Sequence, residues 1–199
     1  VSNGGSSSDG FSDDDAAVYV YAENSPTPGA WGLVTTLNRN SANGNGSHRW
    51  GQALDFDGTT LAGGDPTYDC ADDTGDLLDN CKGQVVVFTV DPNDPATWTY
   101  VDSLEPKQPN ELNNLGSSVS VSGNWLAAGA PGAHEGYPVS IPSVEYVEIW
   151  DLTPSGGGKP ERVFKKRAWD FELPPLDSLA VELGASVAID GDWAFFGAP

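Results

Sequence analysis

The chain has 199 residues and a net charge of −20, with 29 acidic side chains against nine basic ones. The acidity is evenly spread, because the segments 1–66, 67–131 and 132–199 carry −6, −8 and −6. A surface of this kind repels nucleic acid and anionic membranes, so we expect no nucleic-acid partner. No apolar run reaches the roughly 18 residues of a membrane-spanning helix, so we expect no membrane insertion.

One phrase occurs three times, as a Gly, two short apolar runs and a closing Pro. Its copies are 51–66, 116–131 and 184–199. Gly and Pro are 15 positions apart in every copy, and the copies follow one another at intervals of 65 and 68 residues. Spacing of this kind is typical of repeat proteins. Division after each closing Pro gives three predicted repeats, at 1–66 (starting within a unit), 67–131 and 132–199 (ending within a unit).

Two kinds of β-hairpin are predicted to alternate along the chain. Runs of β-branched and aromatic residues between the phrases predict strands, in chain order at 16–21 and 32–37, 84–90 and 98–104, and 144–150 and 162–171. Each phrase itself predicts a hairpin, for example 52–57 with 60–63, and 185–189 with 193–196. Its turn, such as Asp57-Gly58, requires the positive φ that Gly tolerates. The closing Gly-Gly-Asp-Pro or Gly-Ala-Pro is expected to end a strand where backbones pack closely.

Four short strands in each period of about 65 residues, without a long amphipathic helix, predict an all-β fold. Its units would be tandem four-stranded antiparallel blades of a β-propeller. Three repeats are fewer than the four or more blades that close such a ring. We therefore expect the ring to be incomplete, and the chain to be a piece of a longer protein or one unit of a repeating assembly.

The phrase resembles the FG-GAP repeat of integrin alpha-chain propellers and of many secreted microbial and algal proteins. The resemblance rests on the aromatic-or-Leu plus Gly opening, the Gly-Ala-Pro closure and the strand Gly83–Phe88, and it covers essentially the whole chain. It implies a propeller fold. Integrin-type repeats also carry a long Asp-rich calcium loop between the first two strands, whereas here the turns are only three residues, as at 57–59. Because Ca²⁺ requires six to eight oxygen ligands, we do not expect the family's calcium sites here.

Two features indicate an extracellular, secreted protein. Cys70 and Cys81 are the only cysteines and flank an acidic loop, so we predict a disulfide, with free thiols as the alternative. Asn45-Gly46-Ser47 is the single sequon and predicts a glycosylated Asn45.

The same loop offers a cluster of carboxylates as a candidate Ca²⁺ site. The candidate ligands are Asp69, Asp72, Asp73, Asp76 and Asp79. A solvated acidic turn would have the same composition, and the spacing does not match a twelve-residue calcium loop. Calcium is accordingly the only cofactor that the sequence suggests.

Candidate catalytic residues are scarce. His48 and His134 are the only histidines, and no motif of a serine hydrolase or zinc protease is present, so we expect no enzyme. The insertion 132–143 contains His134, Glu135 and Tyr137 with two prolines, and it is either an interaction loop or a simple connector.

The tryptophans and one basic cluster are each predicted either to pack within the fold or to be exposed on its surface. Trp50, Trp125 and Trp193 lie within or beside the phrase and are predicted to be packed inside, as are two near fourth strands, Trp31 and Trp98. Trp150 and Trp169 are the candidates for exposure. The cluster 165–167 (Lys-Lys-Arg) is a solvated strand face, makes a salt contact to a neighbouring acidic blade, or is a docking patch.

Two functions remain open. The first is a structural protein of an extracellular filament, hair or coat, whose copies associate with themselves. The second is an adhesive propeller of the cell surface that binds a protein or glycan ligand and is completed by flanking repeats of the same chain. A hydrolase or lyase is a distant third.

Overall fold

A computed structural model of the chain describes residues 16–23, 27–38, 50–68, 81–107, 114–132, 145–153, 157–170 and 182–199. Within these ranges it forms twelve strands and one 3-10 helix, Ala168–Asp170. The strands are β1 (Ala17–Glu23), β2 (Trp31–Asn38), β3 (Ala53–Phe56), β4 (Thr60–Asp65), β5 (Gln84–Asp91), β6 (Asp94–Leu104), β7 (Ser118–Ser122), β8 (Trp125–Ala130), β9 (Tyr146–Asp151), β10 (Glu161–Arg167), β11 (Ser186–Asp190) and β12 (Trp193–Gly197). The described ranges contain no helix that is long and apolar enough to cross a membrane.

The strands form antiparallel sheets in which each strand pairs with its neighbour in the sequence. Two sheets have four strands, β3-β4-β5-β6 and β7-β8-β9-β10, and two have two strands, β1-β2 and β11-β12. The predicted all-β class and the four-stranded antiparallel unit are therefore confirmed. The predicted strands also match the observed ones to within a few residues, because alternating β-branched and aromatic side chains fit a pleated, half-buried surface.

Each copy of the phrase forms the same hairpin. Its opening Gly donates its backbone N–H to the carbonyl oxygen of the Gly 13 positions later, at distances of 2.9 Å, 3.0 Å and 2.9 Å in the three copies. The donors are Gly51, Gly116 and Gly184. The turn glycines Gly58 and Gly123 have φ of 100° and 57°, as predicted for tight turns. The phrase is thus one structural unit, used three times.

A four-stranded sheet consists of one phrase hairpin followed by the hairpin that comes next in the chain. Pro66 and Pro131, the predicted repeat boundaries, follow β4 and β8, and these strands pair with β5 and β9 in the same sheets. Each sheet therefore contains residues from both sides of a boundary.

The hairpins between the phrases, β1-β2, β5-β6 and β9-β10, each contain a β-bulge. The position of this bulge shows which of their residues are equivalent. The register shifts between Val20 and Tyr21 in β1 and between Val87 and Phe88 in β5. In the hairpin β9-β10 the register shifts at the point where β10 pairs with Ile149 and Trp150 of β9. Counting back from the bulge places Val18, Val85 and Val147 at equivalent positions. The sheet β1-β2 is therefore equivalent to the outer half of each four-stranded sheet.

The core lies between successive sheets rather than within one of them. One buried cluster joins Val18 and Leu37 of β1-β2 to Leu61, Val86 and Phe88 of the next sheet. A second cluster joins the opposite face of that sheet to the sheet β7-β8-β9-β10. Its main members are Ala62, Val85, Val87, Leu104, Leu126, Ala128, Tyr146 and Trp150. Apolar side chains alternate between the two faces of a strand, so each sheet contributes to two layers of core.

Candidate functional site

Successive repeats meet at glycine backbones. A Cβ built on Gly64 would lie 1.9 Å from the carbonyl oxygen of Gly116, and one on Gly129 would lie 2.0 Å from that of Gly184. Both distances are shorter than any real Cβ contact, so only glycine fits at these two positions. The close approach expected at the closing Gly is confirmed, and it occurs at the same place in successive repeats.

Side chains of one repeat accept hydrogen bonds from the backbone of the next. Asp55 Oδ2 accepts the N–H of Val121 at 2.7 Å and the hydroxyl of Ser120 at 2.9 Å. One repeat later, the hydroxyl of Ser120 accepts the N–H of Ile189 at 3.2 Å. Asp55 and Ser120 occupy the same position of the phrase, as do Val121 and Ile189. The contact between repeats is therefore itself repeated.

A second contact of this kind lies at the turns. Asp57 Oδ2 accepts the N–H of Gly123 at 2.8 Å, and Ser122 Oγ accepts that of Gly191 at 3.3 Å. Burial would raise the pKa of Asp57, but hydrogen bonds from Thr60, Thr59 and Gly123 together lower it below its ordinary value. Asp57 thus holds its own turn and the turn of the next repeat.

The sheet β1-β2 leaves an apolar surface uncovered, which we call the first end surface. Its residues are 55% to 66% exposed: Tyr19, Tyr21, Trp31 and Leu33. The equivalent residues of the next sheet are Val86, Phe88, Trp98 and Tyr100, and Val86 is fully buried against β1-β2. The first end surface is thus the face that a preceding sheet covers elsewhere in the array.

The sheet β11-β12 leaves the opposite face uncovered, which we call the second end surface. It includes Trp193 and Phe195, which are 71% and 60% exposed. The residues equivalent to Phe195 are Ala62 and Ala127, and both are fully buried. Within the described residues β12 pairs only with β11 and β1 only with β2, so each end also presents an unpaired strand edge. Such an edge is a template for pairing with another strand.

One charged cluster is buried in the sheet β7-β8-β9-β10. The carboxylate of Glu148 is fully buried and accepts a hydrogen bond from Arg162 Nη1, while Lys165 Nζ lies 3.3 Å from the same oxygen, Oε1. The ammonium group of Lys165 lies 3.4 Å from the centroid of the Tyr146 ring. Burial raises the pKa of Glu148, although Lys165 and Arg162 act in the opposite direction. The equivalent position in the preceding sheet is Val86, so this cluster replaces apolar packing.

The basic cluster 165–167 is half-buried. Lys165 pairs with Glu148, a carboxylate of its own sheet. Among the described residues, Lys159 Nζ, just before β10, lies 3.5 Å from Asp102 Oδ2 of β6, and this lysine is largely exposed. Exposed pairs of this kind contribute little to stability.

Among the predicted site residues, the structure describes Cys81. It is fully buried and disulfide-bonded. The other predicted residues lie outside the described ranges: Cys70, Asn45, Asp69, Asp72, Asp73, Asp76, Asp79, His134, Glu135 and Tyr137. In the part of the chain that is described, no group of three His, Cys, Asp or Glu side chains is placed to hold a metal ion. The predicted calcium site, glycosylation site and interaction loop remain predictions.

The tryptophan predictions are partly wrong. Trp50 is buried as predicted, but Trp193 and Trp31, predicted to be packed inside, are 71% and 66% exposed. Trp150, a candidate for exposure, is buried. The reason is that packing in this fold depends on the neighbouring sheet. Trp193 and Trp31 lie on the two end surfaces, where no described sheet covers them.

No protein-family model matches the chain, and no curated protein matches it significantly. The resemblance to FG-GAP repeats therefore stays a prediction. Sequence reasoning missed the two end surfaces and the buried Glu148. A comparison of equivalent positions could have found the end surfaces, since Phe195 stands where the other two repeats have Ala.

Proposed function

We propose that this protein is a non-catalytic, extracellular structural protein built of propeller-like blades, and that it forms part of a filament, hair or surface coat. Each four-stranded sheet corresponds to one blade, and the two-stranded sheets correspond to half blades at either end. The chain associates with further copies of itself through these ends.

The proposal rests mainly on the two end surfaces. The same glycine and acceptor positions join successive repeats, so a further unit of the same kind can be added through the same contacts. The end surfaces carry aromatic side chains that are 55% to 71% exposed, and groups of exposed apolar side chains mark interaction sites. A heterologous contact that does not close on itself generates a fibre.

The described side chains also favour a structural role. Asp55 and Asp57 accept hydrogen bonds from the backbone of the next repeat, and the buried Glu148 forms an ion pair with Arg162. These groups are engaged in the architecture rather than presented to a substrate.

Electron microscopy of native material, together with the intact mass of the chain, tests the proposal. Filaments with a regular subunit are the expected result. Isolated discs, formed from a chain of at least twice this length, would contradict it. They would favour the alternative of an adhesive cell-surface propeller, with its ligand in the loops of one face.

A further inference from the structure

We infer that the unpaired edge of β12 binds the unpaired edge of β1 of a second copy of this chain, so that the two half sheets form one four-stranded sheet. This inference rests on the proposed function, because it names the junction through which copies would associate. The occupant is a second copy, and its pairing strand is the segment Ala17–Glu23.

The register of this junction follows from the two complete sheets. In one of them Gly64 of β4 lies opposite Val85 of β5, and in the other Gly129 of β8 lies opposite Val147 of β9. Gly197 is equivalent to both glycines, and Val18 is equivalent to both valines. The junction therefore places Gly197 opposite Val18 of the second copy. It also places Trp193 opposite Ala22, because antiparallel strands advance in opposite directions.

Every pair in this register contains at least one larger apolar side chain. A small residue faces a larger one in Gly197–Val18, Ala194–Tyr21 and Trp193–Ala22, while Phe195–Val20 and Phe196–Tyr19 each place two larger apolar side chains opposite one another. The complete sheets contain both kinds of pair, with Ala62 opposite Val87 and Leu61 opposite Phe88. Cross-strand pairs of this kind are the unit of sheet stabilisation.

The same junction covers the first end surface. In the assembled sheet, Tyr19 and Tyr21 of the second copy would extend the face on which Phe196 already lies. The Phe196 ring stacks on that of Phe164 in β10, with centroids 6.3 Å apart. Phe164 and Val163 are themselves exposed on β10. The exposed apolar side chains of β10 in one copy and of β1-β2 in the next would therefore bury one another.

The interface is continuous with contacts that the chain already makes within itself. The sheet β1-β2 packs against the next sheet through Val18, Val20 and Leu37. After the junction forms, Phe195 would join this layer beside Val20. Burial of Phe195 then matches that of Ala62 and Ala127.

Disulfide cross-linking tests the register directly. Two single variants, Ala22→Cys and Trp193→Cys, are mixed under mild oxidation, with one chain carrying a mass tag. Trp193 tolerates exchange, since the equivalent residue of the first phrase is Thr60. The expected product is a heterodimer joined by a disulfide between the two introduced cysteines. The matched control pairs Ala22→Cys with Phe195→Cys, which lies two residues out of register at about 7–8 Å and is too distant for a disulfide. Equal cross-linking of both pairs, or of neither, would overturn the inference.

A charge variant provides a second test that does not depend on cysteines. Phe195→Lys should weaken association about tenfold or more, because burial of one Phe side chain is worth more than the free energy of a tenfold change. The control Val101→Lys changes an exposed apolar residue of β6 outside both end surfaces, and should leave association unchanged. Both variants keep their fold, since both positions are exposed in the single chain. Association that is insensitive to Phe195→Lys would contradict the junction.

The outcomes separate this inference from the proposed function. In-register cross-links in a closed pair of chains would support the junction and contradict a filament. Filaments without the in-register cross-link would support the function and overturn the junction. A cross-link between β12 and β1 of the same chain, detected in the double variant at low concentration, would also overturn it.

Discussion

Replacement of Gly64 by Ala should disrupt the contact between two repeats. The added methyl carbon would lie 1.9 Å from the carbonyl oxygen of Gly116 and 2.9 Å from its carbonyl carbon. Ordinary van der Waals contact begins near 3.4 Å, so the backbones would have to separate by about 1.5 Å. Gly64 does not have a left-handed φ, so the cost is steric. Because the obstructing atoms are backbone, no side chain can turn aside, and we expect a loss of about 3 kcal/mol or more.

The control for this variant is Gly123→Ala. Gly123 has a φ of 57°, and an added methyl group would meet no neighbouring atom within 4 Å, so its replacement costs only the left-handed backbone strain, about 1 kcal/mol. Unfolding in urea, followed by circular dichroism and tryptophan fluorescence, measures both variants. Gly129→Ala should behave like Gly64→Ala, since its methyl group would lie 2.0 Å from the carbonyl oxygen of Gly184. Equal losses for Gly64→Ala and Gly123→Ala would refute the glycine contact between repeats.

Three further predictions concern single groups. Burial raises the folded pKa of Glu148, so its ionised form destabilises the fold near neutral pH, and this cost disappears as the pH falls through the raised pKa. As the pH falls from 7 to about 4.5, the free energy of unfolding of the wild type should therefore rise relative to that of Glu148→Gln; a wild type that loses stability relative to this variant over the same range would contradict this. Asp55→Ala should cost about 2 kcal/mol in urea unfolding, because a backbone N–H and a hydroxyl lose their acceptor. Lys159→Ala, which breaks only an exposed ion pair, should cost less than about 1 kcal/mol, and a reversed order would be inconsistent with the account. Reduction of the disulfide at Cys81 should lower stability by roughly 3 kcal/mol, and an unchanged thermal midpoint with reductant would argue against it.

Much of the architecture could be predicted from the sequence, because the phrase fixes both the turn and the close contact. The turn at Asp57-Gly58 requires positive φ, and the closing Gly64 leaves room for a neighbouring backbone. These are local requirements, so they can be recognised in a single sequence. The composition of 84–90, rich in β-branched residues, likewise predicts a strand.

The burial of individual side chains depends on which sheets are neighbours in the fold, and a local sequence pattern does not indicate this. Thr60 and Trp193 occupy the same position of the phrase, yet Thr60 is buried and Trp193 is 71% exposed. Thr60 lies in a sheet that has neighbours on both faces, whereas Trp193 lies on the second end surface. The charged cluster could not be predicted either, since Glu148 stands where the preceding sheet has Val86, and its two cations come from the paired strand.

The most direct test of self-association is sedimentation velocity of the purified protein over a wide range of concentrations. The account predicts a mass that grows with concentration from that of the single chain, and a loss of this growth in Phe195→Lys but not in Val101→Lys. A single species with the mass of one chain, unchanged up to the highest concentration, would contradict the claim that copies of this chain join through their end surfaces.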